Sequence, residues 1–164
     1  MVQTLKNAFK IDRIAHAYML TGVRGIGKTT TARLLARALN YRTDAIDAPN
    51  IEMTETGYHC AEIMESRHID VIEMDAASRT GIADIREIID SINYSPSSAR
   101  YKIYIIDEIH MLSKAAFNGL LKTLEEPPSH VKFIFATTEV QKVPLTILSS
   151  CLLYTSPSPR DYPG

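Results

Sequence analysis

The sequence predicts a parallel, doubly wound α/β sheet with helices on both faces. Three observations carry that expectation. Four short apolar stretches, spaced for strands, alternate with segments of helical period. A glycine-rich run from Gly22 to Gly27 separates the first stretch from the first long helix, and the third stretch ends in the paired carboxylates Asp107 and Glu108. Successive strand and helix units of this kind pair in parallel, because each crossover helix returns the chain to the same end of the sheet.

Taken in order, Leu5, Ala8 and Phe9 fall at helical spacing and predict a short amphipathic first helix, broken by polar residues 10–13. Residues 16–20, His-Ala-Tyr-Met-Leu, read as a buried strand that runs directly into the glycines. Over residues 29–39, Ala32, Leu35, Ala36 and Leu39 share one helical face. Residues 40–57 are polar and carry Pro49 and Gly57, which predicts an exposed insertion, followed by a short helix over 60–67. A second strand is expected at 69–74, then a helix after Gly81 with Ile82, Ile85, Ile88, Ile89 and Ile92 on its buried side. A third strand at 101–106, a helix at 113–124 stopped by Pro127 and Pro128, and a fourth strand at 131–136 complete the pattern. From Leu152 onward the run Ser156-Pro157-Ser158-Pro159 and the ending Asp161-Tyr162-Pro163-Gly164 carry no period, so this tail is expected to be disordered.

A chain of 164 residues is long enough for one domain with a real core, and 45% hydrophobic with 23% charged residues is a globular balance that argues against disorder and coiled coil. Eighteen basic residues against 19 acidic ones leave a formal charge of -1, so any nucleic-acid contact must be local. No apolar run approaches the roughly 20 residues that span a bilayer, and the first ten residues lack the apolar core of a signal peptide. The expected location is the cytoplasm, away from any membrane. Cys60 and Cys151 are too few for a disulfide framework and read as ordinary thiols of a reducing compartment.

Gly22-Val23-Arg24-Gly25-Ile26-Gly27-Lys28-Thr29 fits G-x-x-x-x-G-K-[ST] in the strand, loop and helix context that the motif requires. Glycines let the backbone wrap phosphate oxygens, the helix N-terminus adds positive potential, and Lys28 neutralises the outer phosphates. Thr29 is placed to ligate Mg²⁺, with Thr30 following it at the phosphate end of the helix. Asp107 and Glu108 leave the third strand at its C-terminal end, where ligands of α/β sheets bind. Asp107 is expected to hold the Mg²⁺ and Glu108 to polarise the water that attacks the γ-phosphate. Thr137 and Thr138 end the fourth strand with hydroxyls that can orient that water or sense the phosphate. An acidic pair or a threonine at a strand end is ordinary by itself; together with Lys28 these residues define an NTP hydrolysis site.

With the motifs placed, the chain resembles the gamma/tau clamp-loader ATPases of bacterial DNA polymerase III, members of the AAA+ class, over about residues 2–149. The matching segments are His16-Ala17-Tyr18, residues 22–31, Asp75-Ala76-Ala77-Ser78, Asp84-Ile85-Arg86, residues 107–112 and residues 118–128. The resemblance implies an AAA+ core and ATP with Mg²⁺ as ligands. It also implies a ring of clamp-loader subunits that opens the sliding clamp on primed DNA beside the replicative polymerase. It places Thr138 in the sensor-1 slot.

The departures from that family are specific. Where its members carry Ser-Arg-Cys, with the Arg acting on a neighbour's ATP, this chain has Ser149-Ser150-Cys151. Many members carry a four-cysteine zinc module, but here that region offers only His59, Cys60 and His68, so zinc is not expected. By this comparison residues 1–149 form a core truncated at both ends, without the fifth strand, the lid domain or the oligomerisation domain. Residues 150–164 form a foreign or disordered tail, since residues 153–161 resemble translated sequencing-adapter read-through. Two further readings stand beside the ATPase motor: a nucleotide-responsive scaffold without turnover of its own, and a related AAA+ branch-migration ATPase. Arg33, Arg37, Arg79, Arg86 and Lys114 are candidates for a DNA path, with a solvated charged face as the simpler role.

Overall fold

The computed structural model describes residues 14–22, 27–53, 55–78 and 81–155. The helix expected around Leu5, Ala8 and Phe9 lies outside them, as do Arg79 and residues 156–164. Five parallel strands form one sheet: β1 (Ala17–Thr21), β2 (Val71–Asp75), β3 (Lys102–Asp107), β4 (Val131–Thr137) and β5 (Leu152–Thr155), in the order β2-β3-β4-β1-β5. The helices are α1 (Lys28–Leu39), α2 (Cys60–Met64), α3 (Gly81–Ser91), α4 (Lys114–Glu125) and α5 (Leu145–Leu148). The doubly wound expectation therefore holds, with each predicted strand shifted one or two residues toward its C-terminus or extended there.

Side chains alternate across the sheet and fill two separate cores. Met19, Tyr104, Ile106, Phe133 and Phe135 face α3 and α4, where Ile85, Ile88 and Leu120 cover them. Tyr18, Leu20, Ile103, Ile105, Ile134 and Ala136 face α1 and α2, meeting Ala32, Leu35, Leu39 and Ile63. Both faces being covered explains why β1, β3 and β4 read as nearly continuous apolar runs rather than alternating ones. Phe133 stacks between Tyr104 and Phe135 with centroid separations of 5.6 and 5.5 Å. Each such pair contributes about 0.5–1.5 kcal/mol beyond the area it buries.

Two expectations need correction. The fifth strand is present: β5 pairs in parallel with β1, Tyr18 opposite Leu152 through Thr21 opposite Thr155. It covers the β1 edge that its absence would have left open, and the sheet runs past residue 149. The run Leu152-Leu153-Tyr154-Thr155 has the residue types of a strand but only four positions, too few to stand out beside the Ser/Pro segment. The insertion at 40–57 is also anchored at its root. Asn40 and Tyr41 are buried, Asn40 exchanges two hydrogen bonds with the Tyr101 backbone, and Arg100 donates to the carbonyls of Leu39 and Tyr41.

The start of β2 is tied down by Asp70, 2% exposed. Its carboxylate accepts from the backbone N–H of Ser97, Ser98 and Ala99 at 2.6–2.7 Å and from the Ser98 hydroxyl at 3.2 Å. Burial alone would raise its pKa, but these donors overcome it and hold the carboxyl below its ordinary value. The clamp joins the entry to β2 with the loop entering β3, and so fixes the register that sets Asp75 opposite Asp107.

Candidate functional site

Parallel pairing brings the C-terminal ends of all five strands to one edge of the sheet, and the sequence-predicted groups collect there. β1 ends at Thr21, Gly22 follows, and Gly27 starts α1 from a left-handed backbone at φ 52°. That conformation is what glycine supplies at low cost in so tight an entry. Thr31 locks the first turn by donating its N–H and its hydroxyl to the Gly27 carbonyl, at 2.9 and 3.0 Å. No acidic residue occupies this turn, so the helix N-terminus keeps its positive potential. Val23, Arg24, Gly25 and Ile26 lie outside the described residues.

A cleft of about 230 Å³ opens beside this helix start. Lys28, Thr29, Glu73, Asp75 and Asp107 line it over an apolar floor that includes Ile105 and Ala136. Lys28 is 7% exposed, whereas Thr29 and Thr30 are open to solvent. Asp107 has its pKa raised, first by burial and then by the neighbouring charges of Glu108 and Asp75, against the Glu108 N–H and Lys28, which pull it down. Such a carboxylate gains from a nearby cation. Among the described residues no group of three or more His, Cys, Asp or Glu side chains is arranged to hold a metal ion. The donors present suit Mg²⁺, which is commonly held by one or two protein oxygens together with substrate phosphates. Glu73 is occupied by Arg33, which donates from Nε and Nη2 at 3.0–3.3 Å and so braces α1 against β2.

Glu108 stands outside the lining of this cleft, although it adjoins Asp107 in sequence. It occupies the left-handed region at φ 52°, ψ 48°, a strained choice for a residue with a Cβ. Its N–H donates to Asp107 Oδ1 at 2.9 Å and its carbonyl accepts from the Met111 N–H at 2.9 Å. This turn carries the side chain toward the end of β4, where Thr138 Oγ1 donates to Glu108 Oε2 at 3.0 Å. The structure thus joins Glu108 with Thr138 and groups Asp107 with Lys28 and Thr29. Sequence reasoning missed three participants. Asp75 lines the cleft opposite Asp107, and His110 and Glu139 sit against the Glu108 carboxylate and its neighbours. Asp75 and His110 were visible inside matched segments, but nothing in a linear motif states what they touch.

The other residues singled out from sequence have local partners. His59 Nδ1 and His68 Nε2 lie 2.8 Å apart, His68 Nδ1 accepts from the Asp70 N–H, and Cys60 Sγ accepts from the Gly57 N–H. Ser150 bonds its hydroxyl to the Thr146 carbonyl at 3.0 Å. Lys114 and Arg86 are exposed. Among the described residues no helix is long and apolar enough to cross a membrane.

A five-stranded parallel sheet in this order, with a glycine-led helix N-terminus and strand-end carboxylates around one cleft, is an AAA+ P-loop fold. The family described as DNA polymerase III, delta subunit, matches residues 1–158, and the chain belongs to that family. Its relatives include DNA polymerase III subunit tau of Salmonella typhimurium, 51% identical over 94% of this chain, and subunit gamma of Buchnera aphidicola from Schizaphis graminum, 52% identical over 93%. The chain spans 23% of the former and 41% of the latter. Among solved structures, a gamma subunit-related protein of Thermotoga maritima aligns with a TM-score of 0.63 at 23% identity, covering 98% of this chain and 47% of that one. RuvB of the same organism aligns at 0.55 and 17% identity, over 94% and 42%. At these identities the two structures bear on the fold alone.

Proposed function

We propose that this chain is the ATP-binding and hydrolysing core of a clamp-loader motor subunit of the bacterial replicative polymerase. The observation that carries the reading is the single cleft in which Lys28, Thr29 and Asp107 meet at the N-terminus of α1. Lys28 and the backbone from Gly22 to Thr30 hold the phosphates, and Thr29 and Asp107 hold the Mg²⁺ that accompanies them. Bound there, the ion neutralises charge developing on the transferred phosphoryl group. Glu108 orients and polarises the attacking water, and the Thr138 hydroxyl, which donates to that carboxylate, is the group that turns to the γ-phosphate when ATP binds. In this reading the subunit works in the cytoplasm within a ring, against the sliding clamp, and meets primed DNA through the assembly.

Glu108→Gln is the direct test. It keeps an acceptor for Thr138 but removes the base, so turnover should fall by about 100-fold or more while ATP binding persists. Turnover equal to the unsubstituted protein would remove Glu108 from its role. Ser150 favours a second reading, a nucleotide-responsive scaffold, because a serine bonded to its own helix cannot reach a neighbour's phosphate as an arginine would. Turnover measured with and without partner subunits separates the two. Copurification with a sliding clamp separates both from a branch-migration motor.

A further inference from the structure

We propose that His110 is the positioning residue that sets the Glu108 carboxylate, a refinement that rests on the ATPase reading. The His110 side chain is 5% exposed and carries a carboxylate at each nitrogen. Nε2 lies 3.1 Å from Glu139 Oε2, which can only accept, so this nitrogen donates and Glu139 fixes the plane of the ring. Nδ1 faces Thr137 Oγ1 at 2.8 Å and Glu108 Oε2 at 3.3 Å, and because both flanking carboxylates only accept, the positioning role requires a proton on each ring nitrogen, the imidazolium form. Thr137 is itself immobilised, being fully buried and accepting the Glu139 N–H at 3.0 Å. The result is a rigid wall of three residues from the end of β4 and the turn after β3, with Glu108 against it.

That wall matters because of what Thr138 does. Its hydroxyl is spent on Glu108 Oε2, and one hydroxyl proton cannot serve Glu108 and a phosphate oxygen together. When a bound γ-phosphate draws the Thr138 hydroxyl away, His110 is the neighbour left to keep the carboxylate in place. The Glu108 backbone is already fixed by Asp107 and Met111, so the side-chain torsions are what His110 constrains. His110 does not line the phosphate cleft, and its loss should leave nucleotide affinity alone.

The test compares His110→Ala, His110→Asn and His110→Gln in the 164-residue chain. Asparagine places an amide near Nδ1, whereas glutamine reaches toward Nε2. His110→Ala should lower kcat ten- to a hundredfold, about what a misplaced catalytic group costs, with affinity for Mg·ATP changed less than about twofold. His110→Asn should recover most of the loss and His110→Gln little. The ¹³C-carboxyl resonance of Glu108 supplies a readout that needs no turnover: it should move in His110→Ala and His110→Gln and stay near its original position in His110→Asn. An unmoved resonance with undiminished kcat in His110→Ala, or rescue by glutamine equal to that by asparagine, overturns the assignment. Absence of turnover in the unsubstituted chain would count against the ATPase reading instead, while the resonance still decides the role of His110. If the alanine variant does not fold, the asparagine and glutamine pair carries the same comparison.

Discussion

Replacing Asp70 by Asn tests whether the clamp between the β2 and β3 entries is as strong as its geometry implies. The carboxylate accepts four hydrogen bonds, one on Oδ1 from Ser97 and three on Oδ2 from Ser98 and Ala99. An asparagine oxygen placed at Oδ2 can keep the set of three, but as neutral bonds roughly half as strong. Its amide then opposes the Ser97 N–H, and an orphaned buried donor costs about 1–3 kcal/mol. Together these predict a loss of about 3 kcal/mol at pH 7, read as a lower urea midpoint at unchanged slope. The sign of the pH dependence follows from the depressed pKa. The stabilisation is complete above the ordinary carboxylate value of 3.8 and is lost as pH falls through the lower folded value, so the gap between the two proteins should close in acid. A loss under about 1 kcal/mol, or a gap independent of pH, would refute the clamp.

Asp107 should behave in the opposite sense. Its raised pKa means that ionisation costs stability as pH rises through the folded value, so Asp107→Asn should raise the Tm of the metal-free chain by a few degrees at pH 7. The gain should vanish below the ordinary value of 3.8, and binding of Mg·ATP should weaken; a lower Tm at pH 7 would contradict the burial argument. Gly57→Ala should destabilise by about 1–3 kcal/mol in a urea titration, because the new Cβ would stand 2.9 Å from the Arg42 carbonyl, which is held in a bond from the Tyr58 N–H.

What could be read in the sequence is what short-range pattern encodes. β3 and β4 are covered on both faces and so appear as apolar runs, and the glycine-rich run announces the N-terminus of α1, which Gly27 enters from a left-handed backbone. β5 was hidden because its four residues gain their meaning from pairing with β1, more than 130 positions earlier. Asn40 and Tyr41 read as loop because polar types mark loops. They are buried because Tyr101 and Glu55 satisfy them from distant segments. Asp70 read as one polar residue at a strand start, with nothing local to show that three N–H groups 27–29 residues later converge on it.

The pair Asp107 and Glu108 shows how one turn can give two adjacent carboxylates different work. Were β3 to continue through residue 108, strand alternation would send the two side chains to opposite faces of the sheet, into the separate cores. Instead the strand stops at Asp107, and the left-handed backbone at Glu108 redirects its side chain along the sheet edge to Thr138. A left-handed non-glycine residue costs about 1–2 kcal/mol, which the Asp107, Met111 and Thr138 contacts offset. A glycine at 108 would relieve the strain but carry no carboxylate. Under the proposed reading the strain persists because the reaction needs both groups at once: Asp107 inside the cleft beside Lys28, and Glu108 beyond it, facing where a water would approach.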